Sequence, residues 1–128
     1  MEINELSSKI IGAAIEVHKA LGPGLLESAY EECLCHEFTS QNLSFERQKH
    51  LDVMYKGIVV GHYVADIVVE NKLLVELKAL SALTKEHDSQ VMNYLRATGL
   101  GVGLLLNFGT PRLGVRRLVW QHDDILNI

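Results

Sequence analysis

The chain has 128 residues, of which 48% are hydrophobic and 22% charged, with a formal net charge of −4. That length supports one core, read as a single domain over residues 1–128, and the composition is ordinary for a folded soluble protein. The acidic balance excludes a protein that merely coats nucleic acid with a basic surface, although it leaves room for an enzyme with a local basic track.

No apolar run approaches the roughly 20 residues that span a bilayer, so no membrane is expected. The first ten residues, "MEINELSSKI", carry Glu2 and Glu5 where a secretion signal would carry positive charge. This predicts a cytoplasmic protein.

Ile3, Leu6, Ile10, Ala13, Val17 and Leu21 recur every three or four residues, the spacing of one helical face. Gly22-Pro23-Gly24 ends that helix. A second helix is predicted from about Leu25, with Leu26, Tyr30, Cys33, Leu34 and Phe38 as its apolar stripe. Cys33 and Cys35, two apart on a helix, point in nearly opposite directions and neither pair nor share a metal. With no CxxC spacing, zinc is not expected. "SQNLSF" reads as loop.

Three strand-like segments follow: "RQKHLDVMYKG", "IVVGHYVADIVV" and "LLVELKAL". The turns Lys56-Gly57 and Glu70-Asn71-Lys72 make them an antiparallel meander. Residues 83–100 return to helical spacing, with Val91 and Leu95 on one side. "GVGLLLNFG" has the length of a buried strand, and "GVRRLVW" reads as a final, partly exposed one. The predicted order is α-α-β-β-β-α-β-β, a mixed α/β (α+β) fold whose mixed sheet is flanked by helices.

Asp66, Glu76 and Lys78 interrupt segments that otherwise read as buried strand, where an unpaired charge costs several kcal/mol. A three-residue loop at Glu70-Asn71-Lys72 sets Val69 opposite Leu73 and Val68 opposite Leu74. Asp66 then faces Glu76 on the same side of the sheet, roughly 4.5–5.5 Å apart between Cβ atoms, with Lys78 diagonal to it. A two-residue loop would shift the register by one and turn Asp66 away. Facing carboxylates repel, and a hard cation such as Mg²⁺ between them resolves the conflict. A lysine–glutamate ion pair on a solvated face fits the same spacing.

Asp66, followed by Glu76-Leu77-Lys78 on the next strand, resembles the core of the PD-(D/E)XK nuclease superfamily, with Ala65 in place of the proline. "LGPGLLESAY" is similar to the signature of the GxxExxY proteins, with Gly24, Glu27 and Tyr30 at the named positions. "QVMNYL" resembles the QxxxY element of the RecB-like branch through Gln90 and Tyr94, and "GVGLLLNFG" resembles the strand that follows in GxxExxY proteins.

The resemblance implies a restriction-endonuclease-like core and a nuclease that hydrolyses phosphodiesters with Mg²⁺ or Mn²⁺. It implies metal ligation by Glu27, Asp66, Glu76 and the Leu77 carbonyl, with Lys78 positioning the attacking water. Gln90 and Tyr94 would orient ligands and substrate. Tyr30 is read as packing, its hydroxyl available to steady a carboxylate. His18 and His87 lie within possible reach of the site and are assigned no catalytic role. Lys9, Lys19, Arg47, Lys49, Arg96, Arg112, Arg116 and Arg117 are the candidates for phosphate contact. The expected partner is nucleic acid, DNA ahead of RNA, with a homodimer or a protein partner also contemplated. The alternative is a catalytically weak, nuclease-like binding or regulatory module that acts with another protein.

Overall fold

The structure, a computed structural model, describes residues 1–120. The elements run α1 (Ile3–Leu21), α2 (Glu27–Ser40), β1 (Phe45–Tyr55), β2 (Ile58–Val69), β3 (Leu73–Lys78), α3 (Lys85–Thr98), β4 (Val102–Asn107) and β5 (Gly114–Val119). This is the order predicted from the sequence. The strands lie side by side in chain order, antiparallel except for the β3–β4 pair, which is parallel and joined through α3. Among the described residues no helix is long and apolar enough to cross a membrane.

α1 and α3 start and stop for local reasons. The Glu2 carboxylate accepts from the backbone N–H groups of Asn4 and Glu5 at the start of α1. Gly22, at φ 67°, ends α1 with its own N–H on the His18 carbonyl. Thr84 and His87 form a reciprocal capping box on α3, and Gly99 closes that helix in the left-handed conformation.

The sheet is covered on both faces. On one, Leu6 and Ile10 of α1 and Leu34 and Phe38 of α2 pack on Ile67, Val69, Val75, Leu77, Leu104 and Leu106. On the other, Val91 and Leu95 of α3 pack on Val68, Leu74 and Leu105. Each such side chain contributes roughly 1.5–3 kcal/mol through burial. Residues 73–77 and all of β4 are buried, as expected of strands covered from both sides. Gly103 permits the close approach of α3, because a Cβ there would lie 2.7 Å from Val91 Cγ1.

Two details differ from expectation. Leu26 is not on the α2 stripe: it precedes the first helical residue and stands 79% exposed. Cys35 rather than Cys33 is the buried cysteine, and burial lifts its thiol to about 11; both thiols are free.

The three-residue loop is present. Glu70 and Asn71 both adopt positive φ, at 55° and 54°, and β2 pairs with β3 as Val69–Leu73, Val68–Leu74 and Ile67–Val75. Glu70 is held in that conformation because its carboxylate accepts the N–H and hydroxyl of Ser44, while its own N–H binds the Ser44 carbonyl.

Candidate active site

The β2–β3 ladder ends at Ile67–Val75, one rung short of Asp66 and Glu76. Beyond that rung, side chains replace the ladder. The Leu77 N–H donates to Asp66 Oδ2 at 2.8 Å, and the Asp66 N–H donates to Glu76 Oε1 at 3.2 Å.

The reason lies one strand away. The β1–β2 ladder passes from Arg47–Ile67 to Lys49–Ala65, and Gln48, level with Asp66, sits in the left-handed region at φ 47°. Strict alternation would place Ala65 and Ile67 in the same layer. Instead Ala65 joins the α3 layer and Ile67 the α1–α2 layer. The phase of β2 therefore turns over at Asp66. This corrects the expectation of a simple same-face pair: Asp66 and Glu76 meet through each other's backbone at the point where the strands part.

On the α2 side, Asp66 lines a small cavity with Glu27, Ser28, Glu31, Gln48 and Leu77. Glu27 is the first residue of α2, where the helix dipole favours a negative charge. Partial burial nonetheless raises its carboxyl above the usual range, opposed by the Lys78 ammonium and reinforced by the Asp66 charge. Lys78 thus acts electrostatically on this same cavity. Glu31 is nearly buried and fixed by three donors: Arg47 Nη2 at 2.8 Å, Arg47 Nε at 3.2 Å and Gln48 Nε2 at 2.7 Å.

On the α3 side, Glu76 is buried and its carboxyl is pushed up to about 8, chiefly by desolvation and then by the Asp66 charge. The Tyr63 hydroxyl donates to Glu76 Oε1, and its ring stacks on Tyr94 of α3. Burial and the Glu76 charge raise both phenols. Gln90 lies one turn before Tyr94 and is exposed to solvent. Tyr94 therefore reaches the carboxylates through Tyr63, whereas Gln90 makes no hydrogen bond to them.

Several residues stand elsewhere. The Tyr30 hydroxyl does not steady a carboxylate: it donates to the Gly22 carbonyl at 2.6 Å and accepts the Leu25 N–H, clamping the loop that leads to Glu27. His18 binds the Thr110 carbonyl at 2.9 Å, and His87 is spent on the α3 cap. Among the phosphate candidates, Arg47, Lys49, Arg116 and Arg117 hold Glu31 and Glu32, Glu46, Asp88, and Asn4 with Ser7, respectively. Sequence reasoning missed Tyr63, Gln48 and Glu31. Tyr63 shares Asp66's strand and lies three residues before it, a hint that alternation alone obscured.

Among the described residues no three His, Cys, Asp or Glu side chains cluster as a ready metal site. The donor set instead consists of two adjacent carboxylates and a nearby backbone, with Glu27 lining the same cavity as Asp66 and Leu77. Burial and the neighbouring Asp66 charge disfavour the ionised form of Glu76, and a divalent cation would stabilise that form.

A sequence profile described as the PD-(D/E)XK nuclease superfamily matches residues 4–118. Among solved structures, one titled "Crystal structure of SSO0001" superposes with a TM-score of 0.56 at 18% identity. The match covers 79% of this chain and 55% of that one, so the chain spans about half of its length, and the likeness concerns the fold. No curated protein matches the chain. With the profile covering nearly all the described residues and Asp66, Glu76 and Lys78 on adjacent strands, the chain belongs to the PD-(D/E)XK nuclease superfamily.

Proposed function

We propose that the protein is a divalent-metal-dependent nuclease, with Asp66, Glu76 and Lys78 at the reacting centre. The observation that carries this reading is the cross-linked carboxylate pair, in which desolvation and then repulsion from Asp66 push the Glu76 carboxyl up to about 8. A group so far from its ordinary value, in a cleft beside a like charge, is characteristic of a functional site.

Asp66 and Glu76, with the Leu77 carbonyl and Glu27, would hold Mg²⁺ or Mn²⁺. Such an ion supplies Lewis acidity and an acidified water. Lys78 orients the nucleophile or meets developing negative charge on the phosphoryl group. Tyr63 fixes the Glu76 carboxylate, while Tyr94 wedges Tyr63 from α3 and Gln90 faces the incoming chain. Asp66 and Leu77 hold β2 and β3 in their relative positions, so the acidic groups need no rearrangement before substrate binds. DNA is favoured over RNA as substrate. The GxxExxY spacing of Gly24, Glu27 and Tyr30, and the Gln90–Tyr94 pair, support placement in the GxxExxY family within the RecB-like branch.

The test is cleavage of single- and double-stranded DNA and of RNA with Mn²⁺ present. Wild-type protein is expected to cut at least one of these, and Asp66→Asn and Lys78→Ala to cut none while melting as cooperatively as wild type. Failure of highly purified wild type to cut any form counts against the proposal.

A second reading rests on the net charge of −4 and on the internal pairing of Arg47, Lys49 and Arg116, which leave few cations to grip a nucleic acid unaided. It makes the chain a metal-binding, weakly active module that depends on a partner. Calorimetric binding of Mn²⁺ without turnover would favour it.

A further inference from the structure

Internal ion pairs and hydrogen bonds occupy four of the eight basic side chains considered for phosphate contact, as described above. Of the remaining four, Lys9 and Arg96 lie apart, on α1 and α3. Lys19 and Arg112 come together. They line one cavity of about 330 Å³, with Ile15, His18, Pro111 and Leu113 as its other walls.

This cavity is held in shape from within. His18 is 8% exposed, and its Nε2 lies 2.9 Å from the Thr110 carbonyl, so Nε2 carries the proton. Thr110 Oγ1 in turn donates to the Arg112 carbonyl at 2.6 Å. This chain of contacts pins the loop after β4 against the last turn of α1, so that Arg112 and Lys19 line one cavity. Neither cation has a side-chain partner among the described residues. Two unpaired cations converging on one concavity repel each other, and an anion removes that penalty.

The cavity also lies at the end of the sheet where the reacting centre sits. The Phe108 N–H donates to the Lys78 carbonyl at 2.8 Å, and the Phe108 ring stacks on Tyr30 with centroids 4.5 Å apart. Thr110 and Arg112 follow two and four residues later. A chain crossing Lys78 can therefore continue towards this pocket.

We propose that the Lys19–Arg112 cavity is a phosphate-binding subsite that grips a backbone phosphate of the nucleic acid other than the one cleaved. This rests on the nuclease reading above. Lys19 and Arg112 make the contacts, and His18 is a positioning residue that holds the loop.

The experiment measures binding of a fluorescent DNA duplex and of a single strand in Ca²⁺ over a series of salt concentrations. Lys19→Ala/Arg112→Ala is compared with wild type and with Lys56→Ala/Lys85→Ala, which removes the same net charge at exposed positions never considered for phosphate contact. The pocket variant is expected to bind roughly tenfold more weakly at 0.1 M salt, with a salt slope shallower by about one to two. The control variant is expected to keep the wild-type slope. Equal weakening in both variants, an unchanged slope in the pocket variant, or no binding by wild type would each overturn the subsite. Mn²⁺ cleavage is read separately: binding with the expected slope change but no cutting defeats the hydrolase reading and leaves the subsite standing.

Discussion

Asp66 and Glu76 each restrain the other's strand: the Asp66 N–H rests on the Glu76 carboxylate, and the Asp66 carboxylate takes the N–H that follows Glu76. The acidic pair is therefore part of the sheet's own hydrogen bonding. Asp66→Asn retains an oxygen able to accept from Leu77 but removes the charge. Thermal melts are expected to show a change within about 1 kcal/mol, while Mn²⁺-dependent cleavage falls at least a hundredfold.

The raised Glu76 carboxyl ties stability to pH. Its value is about 8 in the folded protein against 4.5 for the unperturbed group, so the native state keeps a proton that the unfolded chain releases. The contribution is fully present below about 4.5 and is lost as pH climbs through about 8. Metal-free wild type is thus expected to lose a few kcal/mol between pH 5 and 9. Glu76→Gln should show a flatter profile, and Mn²⁺ should offset the loss at the alkaline end. Denaturant melts across that range check all three outcomes.

Tyr63→Phe keeps the stack on Tyr94 and deletes the donor to Glu76. The Glu76 carboxyl should rise further, because that hydrogen bond favours its charged form. Turnover is expected to drop roughly tenfold at neutral pH and to recover partly at higher pH. A pH–rate profile of the variant shows whether the limb moves upward.

Arg47→Ala tests structure rather than chemistry. It removes two donors from a Glu31 carboxylate that is only 11% exposed and leaves Gln48 as the remaining one. Stripping one partner from a buried charge is expected to cost about 3 kcal/mol, measured by urea denaturation. Arg47→Lys should restore only part, since one ammonium cannot span Glu31 and Glu32 as the guanidinium does.

Tyr30→Phe removes the hydroxyl that bridges Gly22 and Leu25. A loss of about 1–2 kcal/mol is expected. Added to it is a smaller fall in activity, because this loop sets the start of the helix that carries Glu27.

Much of this arrangement was legible in the sequence. Asn71 marked the loop, and the loop set the pairing of Val68 with Leu74. The helix faces followed from the spacing of Leu6, Ile10, Leu34 and Phe38. The inversion at Asp66 was not legible, because "HYVADIVV" is nearly all apolar and β-prone, with no glycine or proline to mark a break, and the positive φ that accompanies the inversion belongs to Gln48 on the neighbouring strand. No local rule marks a glutamine for positive φ; the cross-strand and helix contacts of that side chain decide it. The capture of Arg47 by α2 was equally hidden, since it joins residues 16 apart through packing.

β1 and β2 run 11 and 12 residues, while β3 pairs with β2 over only the last three. The far end of this hairpin, around Lys56 and Gly57, therefore projects from the body with Tyr55, Ile58 and Val60 open to solvent. A tag or fluorophore grafted between Lys56 and Gly57 would ride on a handle remote from the acidic centre. Such a fusion should leave the core intact, giving a ready point of attachment for surface immobilisation or single-molecule tracking.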